Sequence, residues 1–149
     1  MTPVHTSPPP TAGVSSGSAE INVASGAHTI ASPVLLLDST AIYVGPANGK
    51  LTITSDVAAS AVRITKRGGG ALEMKNVRSD SLWIEQGQVA ILPSGTIAGT
   101  SNVTSLSLAP ATTLDLSNNA LVVDYSGASP LTSVNHLITG SQLTSSLLD

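Results

Sequence analysis

Tyr43, Arg63 and Trp83 stand at twenty-residue intervals, and each carries a group suited to stacking: two aromatic faces and a guanidinium. If that interval is the repeat of one structural unit, the three side chains line up on neighbouring rungs about 4.8 Å apart. Arg63 between two rings would make cation–π contacts of about 0.5–1 kcal/mol each at an exposed site. Two uses of such a column are open. It can be a surface ladder that holds strands in register, or a platform on which a polysaccharide stacks its sugar rings. Two of the three aromatic residues in the chain fall on this line.

Other residue types offer less. Asp38, Asp56 and Asp80 are the acids that could serve a polysaccharide lyase or hydrolase, which needs paired carboxylates for acid/base work or calcium. They fall at different offsets from their nearest apolar pairs, so they are not expected to converge, and no enzyme is expected. His5, His28 and His136 lie in a tail, an early turn and a candidate helix, too dispersed for a metal site. No G-x-S-x-G motif anchors Ser-His-Asp chemistry. Gly68-Gly69-Gly70 lacks the Lys-Ser/Thr and following helix of a phosphate loop, so it reads as a corner. Only Thr52-Ile53-Thr54 resembles a rank of an ice-binding face. Asn102-Val103-Thr104 is a formal glycosylation sequon. No cofactor is expected.

The elements that must position these residues are short strands. Ile21-Asn22-Val23, Leu51-Thr52-Ile53, Leu72-Glu73-Met74, Leu106-Ser107-Leu108 and Leu114-Asp115-Leu116 each set a polar residue between two apolar ones, the period of two that turns one face inward. Dense punctuation, including Gly45-Pro46, Asn48-Gly49, Pro93-Ser94-Gly95 and Asn118-Asn119, leaves no room for ordinary helices between them. Aligned pairs recur as Ile21/Val23, Ile42/Val44, Val62/Ile64, Leu82/Ile84 and Leu106/Leu108, roughly every 20 residues. A second column runs Val34/Leu36, Leu51/Ile53, Leu72/Met74, Val89/Ile91 and Leu114/Leu116. This predicts an all-β fold, a single parallel β-solenoid of about five coils, right-handed by the usual preference of parallel crossovers. An antiparallel β-sandwich is the alternative, since it too has short strands separated by turns.

Composition sets the limits. With 149 residues and 41% hydrophobic content the chain is long enough for one sizeable core. Only six Lys plus Arg and a net charge of -3 argue against nucleic-acid binding. The absence of cysteine excludes disulfides, and a mean hydropathy of +0.27 argues against disorder throughout. No stretch reaches the roughly 20 apolar residues of a membrane helix, and the first 17 residues lack a signal peptide's basic start and apolar middle, so a soluble chain without membrane insertion is expected.

Residues 1–18 are rich in Pro, Ser and Thr and read as a flexible tail or linker. Residues 19–128 are the expected solenoid. Residues 129–149 read as a short helix and C-terminal cap, with Ser129 as N-cap, Pro130 at the first helical position, Leu131, Val134, Leu137 and Ile138 on one side and Gly140 as terminator.

The segment Lys66-Arg67-Gly68-Gly69-Gly70-Ala71-Leu72 followed by Ser81-Leu82-Trp83-Ile84-Glu85-Gln86-Gly87-Gln88-Val89 resembles the autotransporter-associated β-strand repeat of secreted bacterial proteins. Its pattern is K-x-G-x-G-x-L, then S/T-L-x-V-x-x-G-x-L. The connecting residues Lys75 to Asp80 depart from it, while Ser105 to Tyr125 looks like the closing coil of related repeat proteins. The match spans about residues 62–125. The resemblance implies an extracellular or cell-surface β-solenoid of structural or adhesive type, and it carries over no catalytic residue. The expected function is therefore a structural scaffold or a subunit that self-assembles end to end into filaments. The alternative is a polysaccharide-binding adhesive module using Tyr43, Arg63 and Trp83. The partners would be further copies of the chain or a surface polysaccharide.

Overall fold

The computed structural model describes residues 18–147, so the tail expected over residues 1–18 lies outside it except for Ser18. The strands are β1 (Ala19–Val23), β2 (Ala27–Ile30), β3 (Val34–Leu35), β4 (Thr40–Val44), β5 (Lys50–Ile53), β6 (Val57–Arg67), β7 (Ala71–Met74), β8 (Arg78–Ile84), β9 (Gln88–Ile91), β10 (Ser101–Leu108), β11 (Thr113–Asp115), β12 (Leu121–Val123) and β13 (Leu143–Thr144). One helix, α1 (Leu131–Thr139), separates the last two strands. Every strand pairing is parallel. The strands stack as a β-solenoid of about five turns, and the sandwich alternative falls.

Each turn has three sides. Side 1 holds β1, β4 and the second halves of β6, β8 and β10. Side 2 stacks β2, β5, β7, β9, β11 and β13. Side 3 holds β3, the first halves of β6, β8 and β10, and β12. A register shift between Ala59 and Arg63 marks the corner where β6 bends from side 3 to side 1.

The alternation of faces follows the sequence, but the repeat length does not stay constant. Ile21, Ile42, Lys66, Ile84 and Leu108 succeed one another up one inward column of side 1, at intervals of 21, 24, 18 and 24 residues. Opposite Leu82/Ile84 the expected pair Val62/Ile64 is therefore replaced by Ile64/Lys66, and Ile42 meets Lys66 instead of Val62, because residues 60–62 are consumed in the corner. A slip of two keeps each side chain on its own face. Ile64 stays buried, now opposite Leu82, and Lys66 joins it in the core opposite Ile84.

The remaining interior is aliphatic. On side 2, Leu51, Leu72, Val89, Leu114 and Leu143 stack in register and are all buried. Each such side chain contributes about 1.5–3 kcal/mol through burial. At the corner between sides 2 and 3, buried Asn76 donates to the Asp56 carboxylate in the coil before it (3.2 Å) and to the Ala98 carbonyl in the coil after it (2.9 Å).

The C-terminal segment does more than cap. In chain order α1 follows a side 3 strand and precedes a side 2 strand, so it takes the place of a sixth strand on side 1. Its half-buried Val134 and Leu137 pack against the core, while Leu131 and Ile138 are largely exposed. Ser129 Oγ accepts the Leu131 amide at 3.3 Å, with Pro130 as the cap residue rather than the first helical one. After the helix the chain rejoins side 2 as β13, a strand that the reading of residues 129–149 as helix and cap missed. No helix among the described residues is long and apolar enough to cross a membrane.

Candidate functional site

Arg63, Thr65 and Arg67 alternate along β6 and face outward from side 1, while Ile64 and Lys66 between them face inward. The two faces hold very different sites.

On the outer face the Arg63 guanidinium lies over the Trp83 ring, its carbon 4.3 Å from the ring centroid. The contact is diagonal. Trp83 on β8 is directly opposite Thr65, and Arg63 is opposite Ser81. Tyr43 on β4 is opposite Arg67 and not Arg63. The expected single column of Tyr43, Arg63 and Trp83 is thus corrected: the three share one face, but only Arg63 and Trp83 stack. Two strands across and two residues along separate Tyr43 from Trp83, about 12 Å for ordinary sheet spacings. The Tyr43 ring lies instead over Gly45, where an added Cβ would meet its Cε1 at 3.0 Å. The cause is the 24-residue interval between β4 and β6, which the even spacing of the three residues conceals.

Arg67 is committed to a neighbour. Its Nε donates to Glu85 Oε2 at 2.8 Å, a hydrogen bond that raises the pKa of the guanidinium. Arg63 makes no ion pair with any described residue. Thr65 and Arg67, missed by the reading from sequence, are marked in it only by their parity with Arg63.

The inner face carries a buried cation. Lys66 has no exposed surface, and its Nζ donates to the backbone carbonyls of Gly68 (2.6 Å), Arg67 (2.8 Å) and Gln86 (3.2 Å). These acceptors come from two successive corners. Gln86 Oε1 in turn accepts the Gly68 amide at 3.0 Å, tying the corners a second time. Desolvation lowers the Lys66 pKa to about 8, and the ammonium form is the one with a proton for each of the three carbonyls. Gly68 and Gly87 make the cage possible. Both have positive φ, +75° and +73°; a Cβ on Gly68 would fall 2.2 Å from the Val44 carbonyl oxygen, and one on Gly87 2.9 Å from Lys66 Nζ.

The acids are spread apart. Asp56 pairs with Lys75 at 3.1 Å, and the resulting hydrogen bonds from Lys75 and Asn76 lower its pKa. Asp80 accepts from the Thr104 hydroxyl at 2.8 Å. Asp38 lies in the corner before β4. His28 is in strand β2, not in a turn, and like His136 is exposed; His5 lies outside the described residues. Among the described residues no three His, Asp or Glu side chains gather as a metal site would require. A groove of about 650 Å³ runs between residues 95–98 and Asn118–Ala120, and no ionisable group lines it.

Fold and site together define a parallel β-solenoid with a buried lysine clamp and an arginine–tryptophan pair on one outer face. Comparison with family models, curated proteins and solved structures gave no match.

Proposed function

We propose that this chain is a structural module of an extracellular surface protein, a rigid β-solenoid segment whose side 1 ladder is interrupted by α1. The observation that carries this reading is the asymmetry of the two ends. At one end the outer edges of β1, β2 and β3 have no partner among the described residues. At the other, β12 and β13 also keep open outer edges among the described residues, but α1 stands in for the strand of side 1, and a helix has already used its backbone donors and acceptors internally, so it cannot continue that side's ladder. The K-x-G-x-G-x-L segment, with its lysine and glycines assembled into an intercoil clamp, supports a repeat protein built for mechanical continuity.

The asymmetry weighs against end-to-end filaments, which need both ends complementary. Negative-stain electron microscopy of the purified chain at micromolar concentration tests this. Dispersed particles, or pairs joined through the first coil, are expected. Long filaments would overturn the reading of α1 as a terminator.

A second reading, an adhesive module for surface polysaccharide, is favoured by one observation: the Arg63–Trp83 stack on the open face of side 1, with Trp83 38% exposed. Trp83 is the only tryptophan, so its emission reports directly on a sugar that docks there. Flat titrations across a polysaccharide panel would remove this reading.

A further inference from the structure

A small hollow of about 80 Å³ opens on the outer face of side 1, next to the Arg63–Trp83 pair. It is lined by Arg63, Thr65 and Arg67 of β6 and by Ser18, Ser39 and Thr40, although Thr40 is buried on the inward alternation of β4 and its hydroxyl donates to the Asp38 carbonyl. Two arginines and three outward-facing hydroxyl residues, Ser18, Ser39 and Thr65, thus border a space of a size suited to a small oxyanion and too small for a sugar ring. The Ser39 hydroxyl already faces the Arg63 amide at 3.4 Å, which places it against the hollow's guanidinium strand. Thr65 is 6% exposed and stands directly opposite Trp83 on one side and Ala41 on the other.

The charges point the same way. Arg67 has its carboxylate in Glu85, and Glu20 also faces this side, in register with Ala41. Arg63 has no acid within ion-pair distance among the described residues. A guanidinium over an aromatic face keeps its N–H donors in its own plane, free to meet a carboxylate or sulfate in a two-point contact. The chain as a whole is acidic, with a net charge of -3. Attraction of a polyanion must therefore be local to a feature such as this one.

We propose that the hollow takes the carboxylate or sulfate group of an acidic polysaccharide, held by Arg63 with the Thr65 and Ser39 hydroxyls, while a sugar ring of the same chain packs on Trp83. This rests on the second reading above and narrows it to acidic glycans. Uronate and sulfate share the chemistry that matters: a flat or tetrahedral oxyanion carried on a ring that can stack. Arg67 contributes long-range attraction, because Glu85 occupies its Nε.

The test is titration of Trp83 fluorescence with three oligosaccharides of equal length: an oligogalacturonate, a sulfated galactan and a neutral galactan. Inorganic sulfate is the fourth ligand. The acidic oligosaccharides should bind at least about tenfold more tightly than the neutral one, and more weakly as salt is raised. Arg63→Ala should lose about tenfold or more in affinity for them, and Arg63→Lys should recover only part, since it keeps the charge and loses the fork. Circular dichroism of each variant guards against a folding effect, and Thr65→Val, which removes only a hydroxyl, gives an independent probe of the hollow. Equal affinity for neutral and acidic chains would overturn the acidic assignment and leave polysaccharide binding standing. Binding unchanged in both Arg63→Ala and Thr65→Val would put the site elsewhere. Inorganic sulfate as effective as the oligosaccharides would reduce the hollow to a simple anion site. No response to any ligand would remove both the inference and the reading beneath it.

Discussion

The two faces of β6 place three cations within five residues and use them in opposite ways. Outside, Arg63 rests on Trp83 and Arg67 on Glu85, both in contact with water. Inside, Lys66 is wholly buried among backbone carbonyls with no carboxylate within ion-pair distance among the described residues. The contrast shows that a solenoid corner can solvate a cation by itself. Carbonyls turned inward by tight glycine corners replace water, and in doing so they bind one coil to the next.

The largest effect is expected where the cage is made. Gly68→Ala forces a left-handed residue and a Cβ against the Val44 carbonyl, and should cost about 4 kcal/mol in urea denaturation. A loss below about 1 kcal/mol would mean that the corner can relax and that the inner face is less constrained than its geometry indicates. Next comes Lys66→Met, which keeps the stem and removes the donor. Leaving carbonyls buried without partners should cost about 3 kcal/mol. A neutral or stabilising outcome would show that the cation's desolvation had cancelled its hydrogen bonds.

The same variant isolates a pH effect. With a pKa near 8 in the folded chain, against an ordinary 10.5, Lys66 binds fewer protons folded than unfolded between those values. Its burial therefore opposes folding most fully below pH 8, and stability should rise with pH from about 8 to 10.5, at up to about 1.4 kcal/mol per unit. Lys66→Met should lack that rise. An identical slope in wild type and variant would assign the rise to other groups.

A half-buried carboxylate gives an intermediate case. Burial by itself raises the pKa of Asp115, but hydrogen bonds from the Ser146 hydroxyl (2.6 Å) and the amides of Ser117 (2.9 Å) and Ser146 (3.0 Å) outweigh it and leave the value lowered. Its contribution is present above the ordinary value of 3.8 and is lost as pH falls through the folded one. Asp115→Ala should cost about 1–2 kcal/mol and speed amide exchange in β13 before any other strand. Uniform exchange across the chain would mean that the lid and the coils open together. The smallest effect belongs outside: Glu85→Gln should leave the urea midpoint where it is, since exposed ion pairs are screened by water and salt. A clear drop would make the outer face structural and weaken its claim to a ligand.

Parity was legible in the sequence, and length was not. The alternation at Ile21, Ile42, Leu82 and Leu106 assigned inner and outer faces correctly, because a strand's period of two does not depend on the size of its corners. The interval between coils does, and β6 spends residues 60–62 on a bend that no pattern announces. That is why Tyr43 was placed beside Arg63. A lysine in a core is also hidden by its own statistics, since charged residues are buried only with partners, and here the partners are carbonyls, which every residue carries. The helix was legible from Ser129, Pro130 and its apolar spacing. Its position as a replacement strand was not, because that depends on β13 returning to side 2 through two residue pairs. Of the outer site, Arg63 and Trp83 were visible as types, whereas the hollow beside them exists only once the 24-residue interval sets β4 against β6.

The contacts that hold the lid reach no further than the last full coil: Gln142 to the carbonyls of Ala109 and Thr112, Ser146 to Asp115, and Leu147 to Ser117. Whole turns inserted or removed well upstream would thus leave the closure untouched, changing stability in increments set by neighbouring turns alone. Gene duplication could therefore lengthen the stack turn by turn without altering the contacts that seat α1 and β13.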